Sequence, residues 1–244
     1  MNEMNNTPMS PEPAGFAGWF SIWLNVVTKP SEQAYSFLAE SPDAQTVNRA
    51  FTWVFLAGTV SAIISGILQA LLGLAGFAPQ IPGLSELTGS APRSVIGSLG
   101  IALCTSPIAG AFAVLFFAIF VGVIQWVAKM FKGTGNFSQL AYVTAAISVP
   151  FSLVSSLLTP LSALGVVGYC FSGVSLLLGL YAMYLQLLAV KSVNRFGWGE
   201  AAGAYFLPLL LIVCLCACVI FGLVSILAPA ISETFNQINQ NLVP

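Results

Sequence analysis

The chain of 244 residues contains no histidine. A His-dependent triad, a His metal site and an axial haem ligand are therefore excluded. Charge is almost as scarce: seven Lys/Arg and eight Asp/Glu make up 6% of the chain, where a soluble domain carries roughly 25%. So few charges cannot cover the surface of a water-soluble protein of this length. No basic stripe is present for a nucleic acid to engage. No Gly-x-Gly-x-x-Gly or Gly-x-x-x-x-Gly-Lys-Ser/Thr string offers a phosphate cradle. The five cysteines, Cys104, Cys170, Cys214, Cys216 and Cys218, form no paired extracellular framework, and nothing cationic beside them would lower a thiol pKa. They read as small apolar packing residues. No cofactor, no metal and no enzymatic activity is expected.

What the chain has in excess is apolar: 57% hydrophobic residues and a mean hydropathy of +0.91. These values describe an integral membrane protein, with the lipid bilayer as its first partner. The expected fold is all-α and polytopic, with five transmembrane helices and short interfacial helices at the N-terminus. Residues 1–15 read as a disordered tail, 16–48 as short cytoplasmic or interfacial helices, 49–228 as the five-span domain and 229–244 as an extracytoplasmic tail. Met1–Pro13 lacks the basic n-region of a secretory signal, so the first long apolar run should act as an uncleaved span.

Phe16, Trp19, Phe20, Trp23 and Val27 fall at helical spacing and form one aromatic face on a segment too short to span. Such a helix lies either at headgroup level or against the bundle. Thr28-Lys29-Pro30 breaks it, and Ser31–Glu40 follows as a second short helix with Pro30 in its first turn. The spans are then expected near 50–77, 107–127, 137–158, 161–190 and 201–228. The apolar stretch 94–128 exceeds the roughly 20 residues a bilayer core needs, so Pro107 is expected to divide it into an entering segment and a span. With the N-terminus in the cytoplasm, Lys29, Arg49, Lys129, Lys132, Lys191 and Arg195 lie inside and Arg93 alone lies outside, a strong positive-inside bias. The C-terminus is then outside, as in a prokaryotic plasma membrane.

The span interiors carry no charge; none occurs between Gly133 and Val190. Ion-coupled transport through carboxylates is disfavoured accordingly. Small residues recur instead at i+4 spacing: Gly58, Ala62, Gly66 and Ala70, and then Thr144, Ser148, Ser152 and Ser156. Such faces let helices approach closely in lipid. They serve packing within the chain, a homo-oligomer or another membrane protein, or a hydroxyl-lined cavity. Gln69, Gln125 and Gln186 read as structural, and Pro150 and Pro208 should kink their spans.

Two segments resemble the Yip family, the Ypt/Rab-interacting membrane proteins, in its prokaryotic branch. One is Trp23–Leu38, a short aromatic helix, a Thr-Lys-Pro30 break and a second short helix. The other is Gly133–Pro150, a Gly-rich turn leading into a span with Tyr142 and then Pro150. The resemblance implies the five-span fold with Pro30, Gly133, Tyr142 and Pro150 as family-like positions. It favours a scaffold, membrane-organising or partner-recruiting role over catalysis. Eukaryotic relatives are implicated in binding prenylated Rab-type GTPases, but the Asp-Leu-Tyr-Gly-Pro string associated with that is missing here, and Ala145-Ala146 stands where relatives often have Gly-Tyr. A GTPase partner is therefore not expected. A passive channel or carrier for a small uncharged solute is the alternative, carried by the hydroxyl stripe and the two prolines.

Overall fold

The structure is a computed structural model that describes residues 15–76 and 95–211 and scattered positions from 213 to 225. The expected N-terminal tail, the 77–94 connection and the C-terminal tail lie outside the described residues. Every regular element among those described is helical.

Helix α1 (Phe16–Thr28) ends where Pro30 forces Lys29 out of the helical region, at φ −128°. Helix α2 (Glu32–Ala39) starts one residue later than expected. Ser31 is its cap, accepting the Ala34 N–H at 3.1 Å, and Pro30 stays outside the first turn. A short 3₁₀ turn (Pro42–Gln45) leads into α3 (Asn48–Leu74). Then come α4 (Val95–Met130), α5 (Phe137–Leu161), α6 (Val166–Asn194) and a helix α7 over 198–211. The described positions between 213 and 225 are helical as well.

Among the described residues four helices are long and apolar enough to cross a membrane: Asn48–Leu74, Leu99–Met130, Phe137–Leu161 and Val166–Asn194. The expected fifth span, 201–228, is described only in part.

Two prolines do not break the chain where a break was expected. The division at Pro107 does not occur, because α4 runs through it without interruption. Proline removes the N–H that would reach the carbonyl four residues back. For Pro107 that carbonyl belongs to Leu103, and the Ser106 hydroxyl donates to it at 2.9 Å. Likewise α5 does not turn at Thr159-Pro160 but continues to Leu161. The carbonyl freed by Pro160 is that of Ser156, and Ser65 of α3 donates to it at 3.2 Å. In a bilayer a freed carbonyl must find a protein donor, and here a serine supplies one each time. The expected loop 191–200 also shrinks, since α6 continues to Asn194 and closes on Arg195 in the left-handed region, φ 57°.

The arrangement is set by close contact along α3. It packs most extensively on α4 and α5. A Cβ on Gly58 would stand 2.8 Å from the Ala113 Cβ, one on Gly66 2.6 Å from the Ala102 Cβ, and one on Gly110 would collide with Thr59 Oγ1. The paired numbers run in opposite directions, so α3 and α4 are antiparallel. Ser61 and Ser65 donate to the carbonyls of Ser152 and Ser156 at 3.3 and 3.2 Å, so α5 runs parallel to α3. The α3 ladder is therefore spent within the chain.

Candidate functional site at the capped end of the bundle

The short helices α1 and α2 fold back on the end of the bundle that holds the α4–α5 turn and the end of α6. Trp53 of α3 is the centre of this cap, 1% exposed. The Tyr142 ring stacks on it at 5.0 Å, and Trp19 and Trp23 meet it edge-on at 6.0 and 5.7 Å. The aromatic face of α1 is thus divided. Trp19, Trp23 and Val27 pack on the core, whereas Phe20 is 62% exposed on the other side; the side chain of Phe16 lies outside the described residues. The physical reason is the fold-back itself, which offers the two indoles a wall of rings on α3 and α5.

Two phenols fasten the junction between α1 and α2. Tyr35 is fully buried and donates to the Val26 carbonyl at 2.9 Å. Burial, with smaller contributions from Tyr181 and Tyr184, pushes its phenol well above the ordinary tyrosine range, so it remains a neutral donor. Tyr181 of α6 donates to the next carbonyl, Val27, at 2.6 Å.

The Gly-rich turn is sewn to the end of α6. Asn194 is the knot, 1% exposed. Its side-chain oxygen accepts from Gln125 Nε2 at 3.2 Å, and its backbone carbonyl accepts from the Thr134 N–H at 3.3 Å and the Thr134 hydroxyl at 3.4 Å. Gln125 also donates to the Gly135 carbonyl at 2.6 Å. A Cβ on Gly133 or on Gly135 would come within 2.6 Å of Asn194 Oδ1 or of the Val193 side chain respectively. Only glycine lets the backbone pass this close. On the far side of the turn Gln139 accepts the Asn136 N–H at 3.0 Å and starts α5.

Ion pairs ring the cap: Glu32 with Lys191, Asp43 with Arg49, and Glu40 with Arg195 at 3.4 Å. Lys191 also lies 4.3 Å above the Trp198 ring, on which Tyr184 stacks at 6.3 Å. Between α2, the turn and the end of α6 a polar cleft of about 290 Å³ remains, walled by Ser36, Glu40, Asn136, Gln139 and Arg195 among others.

The family-like positions divide between the two regions. Gly133 and Tyr142 take part in the cap and Pro30 sets up the start of α2, while Pro150 lies half-buried within an unbroken α5. In the hydroxyl stripe, Thr144 and Ser156 are buried, Ser148 accepts from Gln186 Nε2 at 3.2 Å, and the Ser152 and Ser156 carbonyls accept from α3. Tyr205 of α7 extends this link to Gln186 Oε1 at 3.4 Å. The stripe thus meets neighbouring helices. Trp53 and Asn194 are the residues that sequence reasoning missed. Trp53 looked like one more apolar residue of a span. Asn194 fell in an expected loop, although a lone Asn between Val193 and Arg195 was its visible signal.

Four apolar helices of spanning length, held together by small-residue contacts and serine hydroxyls, define a polytopic α-helical integral membrane protein. Residues 24–221 match the family model of the Yip1 domain, and the chain belongs to that family. No curated protein and no solved structure gives a significant match.

Proposed function

We propose that this Yip1-family membrane protein is a non-enzymatic scaffold whose capped end recruits a partner at the cytoplasmic face of the membrane. The observation that carries this is the polar cleft between α2, the Gly-rich turn and the end of α6. It is built from three chain segments far apart in sequence, and its edge carries the most exposed ion pair of the cap, Glu40 with Arg195. An exposed pair contributes little to stability, so both groups are available to a partner at small cost.

The reading includes five spans, 201–228 being the fifth, with the N-terminus inside and the C-terminus outside. The positive-inside excess of the cap supports this orientation, and a prokaryotic plasma membrane suits it. Homo-oligomers would have to use faces other than the α3 ladder, which is occupied by α4.

A photo-crosslinking residue placed at Ser36 tests the recruitment, with a second at the exposed Leu177 as the comparison. In native membranes the Ser36 probe is expected to capture a discrete protein adduct that the Leu177 probe does not. If both give only uncrosslinked monomer, the recruiting role is wrong. A cysteine introduced at Asn136 should label from the cytoplasmic side alone; labelling from the outside reverses the orientation.

A further inference from the structure

We propose that the α4–α5 turn is a docking site for the headgroup of an anionic phospholipid, with Lys129 and Lys132 as its cationic groups and Trp126 as its depth anchor. The argument begins with charge. All four carboxylates among the described residues are already engaged: Glu32, Glu40 and Asp43 in ion pairs, and Glu200, whose Oε2 accepts the Gly197 N–H at 2.7 Å. Lys129 donates instead to a neutral carbonyl, Gly133 O, at 3.2 Å. Neither Lys129 nor Lys132 has a carboxylate within 4.0 Å among the described residues. Among the described residues, two positive charges three residues apart are thus without a carboxylate partner.

Their surroundings select the partner. Phe112, Phe116, Ile119, Trp126 and Met130 are all exposed, and their spacing of 4, 7, 14 and 18 residues from the first places them on one face of α4. Trp126 is 64% and Met130 65% exposed. An apolar stripe whose last turns carry an outward Trp126 and Met130, with Lys129 and Lys132 beside its end, repeats the layers of a leaflet: acyl chains, interface, phosphate. A soluble anion would gain nothing from the stripe, whereas a phospholipid matches both parts. The Phe131 ring lies against Gly203 of α7, where an added Cβ would come within 3.3 Å of it, so the turn is held in place. This inference does not depend on the recruiting role of the cleft.

The test uses the full-length protein in nanodiscs and in detergent. In wild-type protein Lys129 and Lys132 should be shielded from an amine-reactive reagent in phosphatidylglycerol nanodiscs and open to it in phosphatidylcholine nanodiscs. In detergent, native mass spectrometry should show retained phosphatidylglycerol in preference to phosphatidylcholine. With about 1 kcal/mol for each basic residue near an anionic surface, K129Q/K132Q should lower that preference about thirtyfold. K129R/K132R should keep it, K29Q should leave it unchanged, and W126A should weaken it. Inorganic phosphate should not displace the lipid. Equal labelling in the two nanodiscs, an unchanged preference in K129Q/K132Q, an equal loss in K29Q, or displacement by inorganic phosphate would each overturn the proposal. The labelling arm needs no variant, so misfolding of K129Q/K132Q does not protect the idea.

Discussion

The two ends of the bundle are built on different principles. At the capped end α5 from Leu140 to Ile147 and α6 from Leu188 to Val190 are buried side by side, roofed by α1 and α2. At the other end α6 presents Val166, Tyr169, Leu176 and Leu177 outward, and Gly173 and Gly179 have nothing within 4 Å of an added Cβ. Among the four spans α5 is the central one, with 56% of its apolar stretch buried against 11–22% for the other three. The capped end resembles the interior of a soluble protein, with stacked rings, a buried amide knot and ion pairs. At the open end large apolar side chains point outward, as on a lipid-facing surface, and small-residue and serine contacts join the helices. Lipid provides no hydrophobic drive between helices, so specificity in the open half rests on close approach. The capped half has interlocking shapes and polar partners as well.

This contrast makes ordered predictions. Trp53→Ala would empty the centre of the cap, and a loss of about 3–5 kcal/mol is expected from large-to-small changes of this kind. Thermal unfolding in detergent, followed by tryptophan fluorescence, should show the largest drop in midpoint of any variant named here. Asn194→Ala comes next: it leaves the buried Gln125 Nε2 with the Gly135 carbonyl alone and one N–H without an acceptor, at about 1–3 kcal/mol. Its distinguishing mark should be faster proteolysis at the Gly133–Asn136 turn, and an uncut turn would show that Asn194 is not the knot. Gly110→Val tests the open half, because the added Cβ already meets Thr59 and the Phe55 carbonyl. Overpacking there should cost about 1–3 kcal/mol, and cysteine crosslinking between α3 and α4 should report their separation. Ser65→Ala removes the donor to the carbonyl freed by Pro160, and intramembrane hydrogen bonds average about 0.6 kcal/mol; a small, measurable shift in the unfolding midpoint is expected. Smallest of all is Leu177→Ala on the lipid-facing side of α6, expected within about 0.5 kcal/mol as for other exposed sites. If Leu177→Ala proved as damaging as Trp53→Ala, the open half would have a protein partner and the contrast would collapse.

The sequence made some of this legible for a plain reason. Burial in lipid imposes a long uncharged run, and a run is a one-dimensional signal. The ladder at Gly58 and Gly66 was readable because close helix contact needs small residues at helical spacing, and the structure places both against α4. Boundaries governed by proline were less legible. Whether Pro107 or Pro160 ends a helix depends on a donor for one carbonyl, and in the second case that donor, Ser65, lies 91 residues away from Ser156. What the aromatic face of α1 packs on was left open for a related reason: spacing shows which residues share a side of a helix, but not what that side meets.

By itself, then, the sequence determined that the protein lives in a membrane as long apolar helices, and which of their faces are small. Those features follow from local composition, because each residue meets the bilayer on its own account. Only the tertiary structure decided that Trp19 and Trp23 turn inward while Phe20 turns out, that Asn194 ties the Gly-rich turn, and that no carboxylate among the described residues reaches Lys129 or Lys132. Each of these depends on which distant segment arrives beside the residue, and the helical period alone carries no information about that.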